Sequence, residues 1–304
     1  MIRGAAHLGG PTLVVENGDL NDHPEEQDRL KYQYQIQALN KIECAAFNLG
    51  EQDLSLGLPF LLQRADEADF PFLSANLADP EGAAPFASSV TVTREVEGVP
   101  RTVQIVGVIA ESMDLFIQET GLVIGSAREA IQTTLSESAD ARIVLFHGDR
   151  QEARKAVRGL IGIDLVIATS HERDEPFESI EEGFPPIVGN GLKGKLLGRI
   201  SIRFGADGPE VGAAAPETLT HLVPDSPDVV PILKEYYQEV KTRNLIDDVA
   251  IVNPAGGGST SVARRAASAT SGSTISGRRP STPSVSRPSS RRAGRPIPSV
   301  SYAT

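Results

Sequence analysis

Between Thr12 and Phe204 the chain returns again and again to short apolar, β-branched runs, most of them closed by glycine or by a polar or acidic residue. Runs of this length are too short for helices that bury a face, and they read as buried strands. The first, Thr12-Leu13-Val14-Val15-Glu16-Asn17, ends in Gly18-Asp19 and so predicts an acidic side chain at the C-terminal tip of a strand. Helical spacing follows from Glu25 to Ile42, carried by Leu30, Tyr34, Ile36, Gln37 and Leu39. Cys44 to Asn48 predicts a second strand, Gly50 to Gly57 a loop, Leu61-Leu62-Gln63-Arg64 part of a helix, and Phe70 to Asn76 a further extended stretch.

Thr91–Glu97 and Arg101–Ile109 flank Glu97-Gly98-Val99-Pro100, which is a hairpin signal. Arg142–Phe146 and Ile163–Ala168 predict two more buried strands, with a helix over Gln151–Leu160 between them. Pro186–Gly189 and Leu197–Phe204 close the strand-rich region, and a polar helix over Val229–Asn244 follows. Strands alternating with helices, interrupted by a hairpin, predict an α/β domain with mixed sheets.

The core of such a domain must be aliphatic here, because tryptophan is absent and aromatic residues make up only 5% of the chain. The single Cys44 excludes an intrachain disulfide and a thiolate zinc cluster, and reads as a small buried side chain. No apolar run reaches the ~18 residues of a membrane span, and Met1-Ile2-Arg3-Gly4 lacks the apolar segment of a signal peptide.

Charge divides the chain. Of 29 Lys and Arg, eight are Arg beyond Val252, where no acidic residue stands, so the 40 acidic residues of the body face 21 basic ones. An acidic body repels nucleic acid and anionic membranes, so nucleic acid is not the expected partner. A phosphate-bearing substrate would need local positive charge, which metal ions can supply. The sequence predicts one domain over residues 1–252 and a disordered Ser/Arg/Pro-rich tail over 253–304. Two readings of the tail stand side by side. It is a true basic tail, or it is an out-of-frame translation, because a shifted frame from Thr260 permits a C-x-x-C-H haem-attachment string. Haem is expected only on the second reading.

Ala46 to Gly57 carries the glycine spacing of a Gly-Asn-His-Glu signature, with Glu51 at the Asn and Gln52 at the His. With it, in order, come Gly18-Asp19, Ala38-Leu39-Asn40, Phe70 to Leu77, Val106-Gly107-Val108-Ile109, Val144-Leu145-Phe146-His147, Asp164 to Ile167, and Val188 to Arg199. Together these segments resemble the calcineurin-like metallophosphatases, and within them the N-terminal domain of the 5′-nucleotidase and UDP-sugar hydrolase family. The similarity covers about residues 8–245. The closest subgroup is similar through Asn-Leu-Gly-Glu-x-Asp-Leu-x-Leu-Gly, and its chains are exported and continue into multihaem cytochrome segments.

The resemblance implies a four-layer α-β-β-α sandwich of mixed sheets. Its first strand is expected to be missing, since the family's opening Asp-x-His has no counterpart before Leu13. It also implies divalent metal ions (Mn, Zn or Fe), a nucleotide or other phosphate ester as substrate, and an exported or periplasmic location. The metal ligands it implies are Asp19, Glu51, His147, and His171 or Glu172 in Thr169-Ser170-His171-Glu172, where the family has Gly-His-x-His. Gln52 replaces the catalytic His. Asp53 stands where the family's acidic residue holds that His, so its usual partner is missing and a catalytic role for it is open. The implied function is metal-dependent phosphoester hydrolysis. The alternative is a non-catalytic phosphatase-like domain, serving as scaffold or partner of an electron-transfer cytochrome.

Overall fold

A computed structural model of the chain describes residues 11–21, 24–169, 178–179, 181–189, 196–212, 215–220 and 222–245, all within the unit Met1–Val249. His171, Glu172 and the Ser/Arg/Pro-rich segment lie outside the described residues.

The strands are β1 (Val14–Glu16), β2 (Cys44–Asn48), β3 (Phe72–Leu73), β4 (Leu77–Ala78), β5 (Ser89–Val96), β6 (Val99–Ile109), β7 (Val123–Ile124), β8 (Ala141–His147), β9 (Leu165–Ala168), β10 (Glu178–Ser179), β11 (Ile187–Gly189), β12 (Leu196–Arg199), β13 (Ile202–Gly205), β14 (Gly208–Val211) and β15 (Ala215–Thr218). The helices are α1 (Glu26–Lys41), α2 (Glu51–Leu54), α3 (Leu58–Glu67), α4 (Asp114–Ile117), α5 (Ala127–Thr134), α6 (Arg150–Val157) and α7 (Val230–Thr242).

Two sheets build the body. The first is parallel, in the order β1-β2-β3. The second is mixed, in the order β10-β11-β9-β8-β6-β5, with β11, β9, β8 and β6 parallel and the two edge strands antiparallel. Alternation along each strand decides what lies between the sheets. On β8, Ile143 and Leu145 join Val103 and Ile105 of β6, Leu165 and Ile167 of β9, and Ala46 and Leu73 of the first sheet in one buried cluster. The opposite faces carry Val144, Phe146, Val106 and Val166, packed with Ile131 of α5 and Ala153 and Val157 of α6. α1 covers the other side of the first sheet. The layers are thus helix, sheet, sheet, helix, as the resemblance implied.

Local chemistry explains the individual elements. On α1 the buried face is Leu30, Tyr32, Ile36 and Leu39, with Tyr32 set edge-on to Phe47 of β2 at 6.4 Å. Tyr34, read from the sequence as part of that stripe, sits on the flank instead and donates its hydroxyl to Glu239 of α7 at 2.6 Å. The β5–β6 hairpin turns at Glu97-Gly98, both with positive φ (51° and 80°), the conformation of a two-residue turn that matches strand twist. α6 starts with a reciprocal cap: Asp149 accepts from the Glu152 amide and Glu152 accepts from the Asp149 amide.

Further features depart from the sequence reading. Leu197–Phe204 is broken at Ile200-Ser201 into β12 and β13, which pair with β15 and β14 in separate two-stranded ladders. α5 was not foreseen; its Ser126 cap and the spacing of Ala127 and Ile131 were the available signal. The Gly50–Gly57 loop contains a turn of helix, α2.

Candidate metal centre

The parallel strands end on one edge, and there the chemistry collects. After β1 the backbone turns through two left-handed residues, Gly18 (φ 89°) and Asp19 (φ 62°). A positive φ at a non-glycine residue is strained and recurs at functional sites. It brings the Asp19 carboxylate back over the tip of β2, where Oδ1 accepts the Gln52 amide at 3.0 Å. β2 leads through Leu49 and Gly50 into α2, whose first residue is Glu51. β8 ends in His147, on the face of that strand that looks between the sheets.

The three side chains meet. His147 Nε2 lies 2.6 Å from Glu51 Oε2 and 3.3 Å from Asp19 Oδ2, and one ligand atom from each residue falls within 4.8 Å of the other two. His147 is fully buried, the Glu51 side chain is 10% exposed and that of Asp19 26%, so the cluster opens to solvent beside Asp19. Burial pulls the His147 imidazole down, but the Asp19 and Glu51 carboxylates outweigh it and hold the ring well above its ordinary value. Gly50 makes this approach possible. A Cβ there would stand 2.2 Å from Asp19 Oδ1 and 2.5 Å from His147 Cε1. The signature glycine is therefore required by side-chain crowding; its φ of −113° is ordinary.

Asp53, whose catalytic role the sequence left open, ties the β1 and β2 loops together. It is fully buried and accepts the amides of Gly50 (2.8 Å), Asp19 (2.8 Å) and Leu20 (3.1 Å). Burial, with the Asp19 charge, pushes its carboxyl up to about 7 against the pull of those amides. Its partners are backbone N–H groups, which no motif spacing would reveal.

The donor set fits a divalent cation. His147 Nδ1 lies 2.7 Å from the Asn17 carbonyl oxygen, which can only accept, so Nδ1 carries a proton. In the neutral ring the Nε2 lone pair then faces two carboxylates, an arrangement that needs either a proton or a cation between them. One nitrogen and two carboxylates suit Mn, Fe or Zn. Among the described residues this is the one such cluster.

No family model matches the chain. Its sequence is 23% identical over 242 residues to an apyrase from Aedes albopictus, a match covering 70% of this chain and 43% of the apyrase. In structure it is similar to the calcineurin-like phosphoesterase YfkN from Bacillus subtilis, with a TM-score of 0.65, 19% identity, and coverage of 80% of this chain and 88% of that one. A 5′-nucleotidase precursor from Thermus thermophilus gives the same TM-score and identity, covering 79% of this chain and 52% of that chain. The chain thus spans less than half of the apyrase and about half of the nucleotidase.

These similarities define the fold as that of the calcineurin-like phosphoesterases. The phosphoesterase and the 5′-nucleotidase match it equally well, in keeping with the sequence resemblance. Among the described residues no helix is long and apolar enough to cross a membrane.

Proposed function

We propose that this chain is a metal-dependent phosphoester hydrolase of the 5′-nucleotidase type, exported in its host, with a nucleotide or related phosphate ester as substrate. Asp19, Glu51 and His147 are assigned as ligands of a divalent cation (Mn, Zn or Fe), and His171 or Glu172, in the sequence that follows β9, as a further ligand. The observation that carries this reading is the convergence of two carboxylates and one oriented imidazole at the parallel-strand edge.

A bound cation would supply neutralisation of the phosphate charge and polarisation of its oxygens. The acidic body makes that supply necessary. The protein's own part is to hold and aim the ligands: the Gln52 amide holds Asp19, the Asn17 carbonyl orients His147, and Asp53 fixes the two loops against each other. In hydrolysis a water oxygen bonds to phosphorus, the ester P–O bond breaks, and the departing oxygen needs a proton. Gln52 is no acid and cannot supply that proton. Without that acid, esters whose leaving group departs as an anion react faster than alkyl esters, the 5′-phosphate of a nucleotide among the latter.

The same Gln52 favours a second reading, a phosphatase-like domain without turnover that serves as scaffold for a partner; an electron-transfer cytochrome as that partner rests on the sequence alone. Phosphate release from 5′-nucleotides and aryl phosphates, measured with Mn²⁺ for the native chain and for Asp19→Ala, separates the two. Turnover lost in the variant supports the hydrolase. Turnover retained by Asp19→Ala refutes the ligand assignment, and its absence from the native chain supports the scaffold.

A further inference from the structure

Beneath the three ligands lies a buried polar bridge that no motif announced. Asn17 and Asn48 are 2% and 0% exposed, one following β1 and the other ending β2. The Asn17 side-chain amide donates to the carbonyls of Phe146 (3.1 Å) and Ile167 (3.0 Å), so it reaches from the first sheet to β8 and β9 of the second. Its Oδ1 accepts Asn48 Nδ2 at 2.8 Å. That same nitrogen faces the carbonyls of Val108 (3.0 Å) and Leu145 (3.3 Å). Three acceptors around one atom settle which end of the Asn48 amide is nitrogen. Gly107 of β6 leaves room for the bridge, since a Cβ there would stand 2.4 Å from Asn48 Oδ1.

The consequence runs upward to the ligands. Both donors and the oxygen of the Asn17 side chain are committed, so the residue is fixed against both sheets. Its backbone carbonyl is the acceptor for His147 Nδ1. A carbonyl held in place admits one arrangement of the ring: Nδ1 protonated and Nε2 aimed at Asp19 and Glu51. A purely apolar contact between the sheets could hold them together without pinning that carbonyl.

We propose that Asn17, held by Asn48, is a positioning residue that fixes the His147 tautomer and presents Nε2 as a cation ligand. This deepens the metal-site reading and rests on it for the ligand role; the Nδ1–H bond to the Asn17 carbonyl does not depend on any metal.

The test uses the full chain with ¹⁵N-labelled histidine. NMR of the metal-free native protein should show a slowly exchanging Nδ1–H on His147. Asn17→Ala should lose that protection, and Asn48→Ala should weaken it. Mn²⁺ titration by calorimetry should then show affinity falling about 10–100-fold in Asn17→Ala. Ile143→Ala, a core deletion in the same strand, should lower the melting temperature with Mn²⁺ affinity unchanged. A bare Nδ1 in the native protein overturns the proposal even if no variant folds. So does Mn²⁺ affinity in Asn17→Ala within twofold of native. If the native chain binds no Mn²⁺ yet shows the protected Nδ1–H, which Asn17→Ala loses, the metal reading fails and the positioning of the ring stands.

Discussion

Gly50→Ala probes the centre with the smallest possible perturbation, one methyl group. Its Cβ would fall 2.2 Å from Asp19 Oδ1, 2.5 Å from His147 Cε1 and 2.8 Å from His147 Nε2. Non-bonded carbon contacts relax to about 3.5 Å, so Asp19 and His147 must each retreat by roughly 1 Å. A ligand set tolerates only about 0.2 Å. Mn²⁺ affinity should therefore fall by about tenfold or more, the scale seen when ligand support is disturbed. Overpacking should also cost about 1–3 kcal/mol, which lowers the melting temperature by about 2–4 °C per kcal/mol for a unit of this size. Gly57→Ala is the control. Nothing lies within 4 Å of a Cβ there, but its φ of 88° penalises any side chain, so it should melt earlier and bind Mn²⁺ normally. Calorimetric titration and thermal melts of both variants decide the matter. Mn²⁺ affinity in Gly50→Ala within twofold of native, or an equal loss in Gly57→Ala, would show that crowding at Gly50 does not control the ligands.

Other perturbations follow from the same geometry. Gln52→His should restore a proton donor and raise the rate on alkyl phosphates by about tenfold or more, with little gain on aryl phosphates; parallel initial-rate assays read the ratio. Gly107→Ala should cost about 1–3 kcal/mol, because its Cβ would meet Asn48 Oδ1 at 2.4 Å and Leu73 Cβ at 2.6 Å; urea unfolding measures it. The Thr102 amide, its hydroxyl and Arg101 hold Asp140 below its ordinary range. A depressed carboxyl contributes stability above its unfolded pKa and loses it as pH falls through the folded value. Asp140→Asn should therefore be less stable than native at pH 7, with the gap closing below about pH 4.

Much of this centre could be read from the chain, and the reasons differ by residue. Asp19 was legible because Gly-Asp after a β-branched run is a local signal, and His147 because it ends a near-continuous apolar strand. Glu51 was legible from glycine spacing, since Gly50 marks the place where side chains crowd. The roles of Asn17 and Asn48 and the backbone partners of Asp53 were not legible. Asn17 and Asn48 bond each other across 31 residues and otherwise hold backbone carbonyls 60 to 150 residues away, while Asp53 holds the amides of neighbouring turns; backbone partners leave no trace in residue type. The misplacement of Tyr34 has a similar origin. Periodicity marks a face of α1, but the packing of Phe47 and α7 decides that Tyr32 goes inward. The break at Ile200-Ser201 was hidden because both halves of Leu197–Phe204 have strand composition.

Binding of a divalent cation by Asp19, Glu51 and His147 underlies every role assigned above. Its most direct test is metal content by mass spectrometry of the full chain, equilibrated with Mn²⁺, Zn²⁺ or Fe²⁺ and then freed of loose ions, beside Asp19→Ala and His147→Ala. At least one ion per native chain is expected, reduced in both variants while each keeps its fold. A native chain that folds and retains no ion, or variants that retain as much as native, would contradict it.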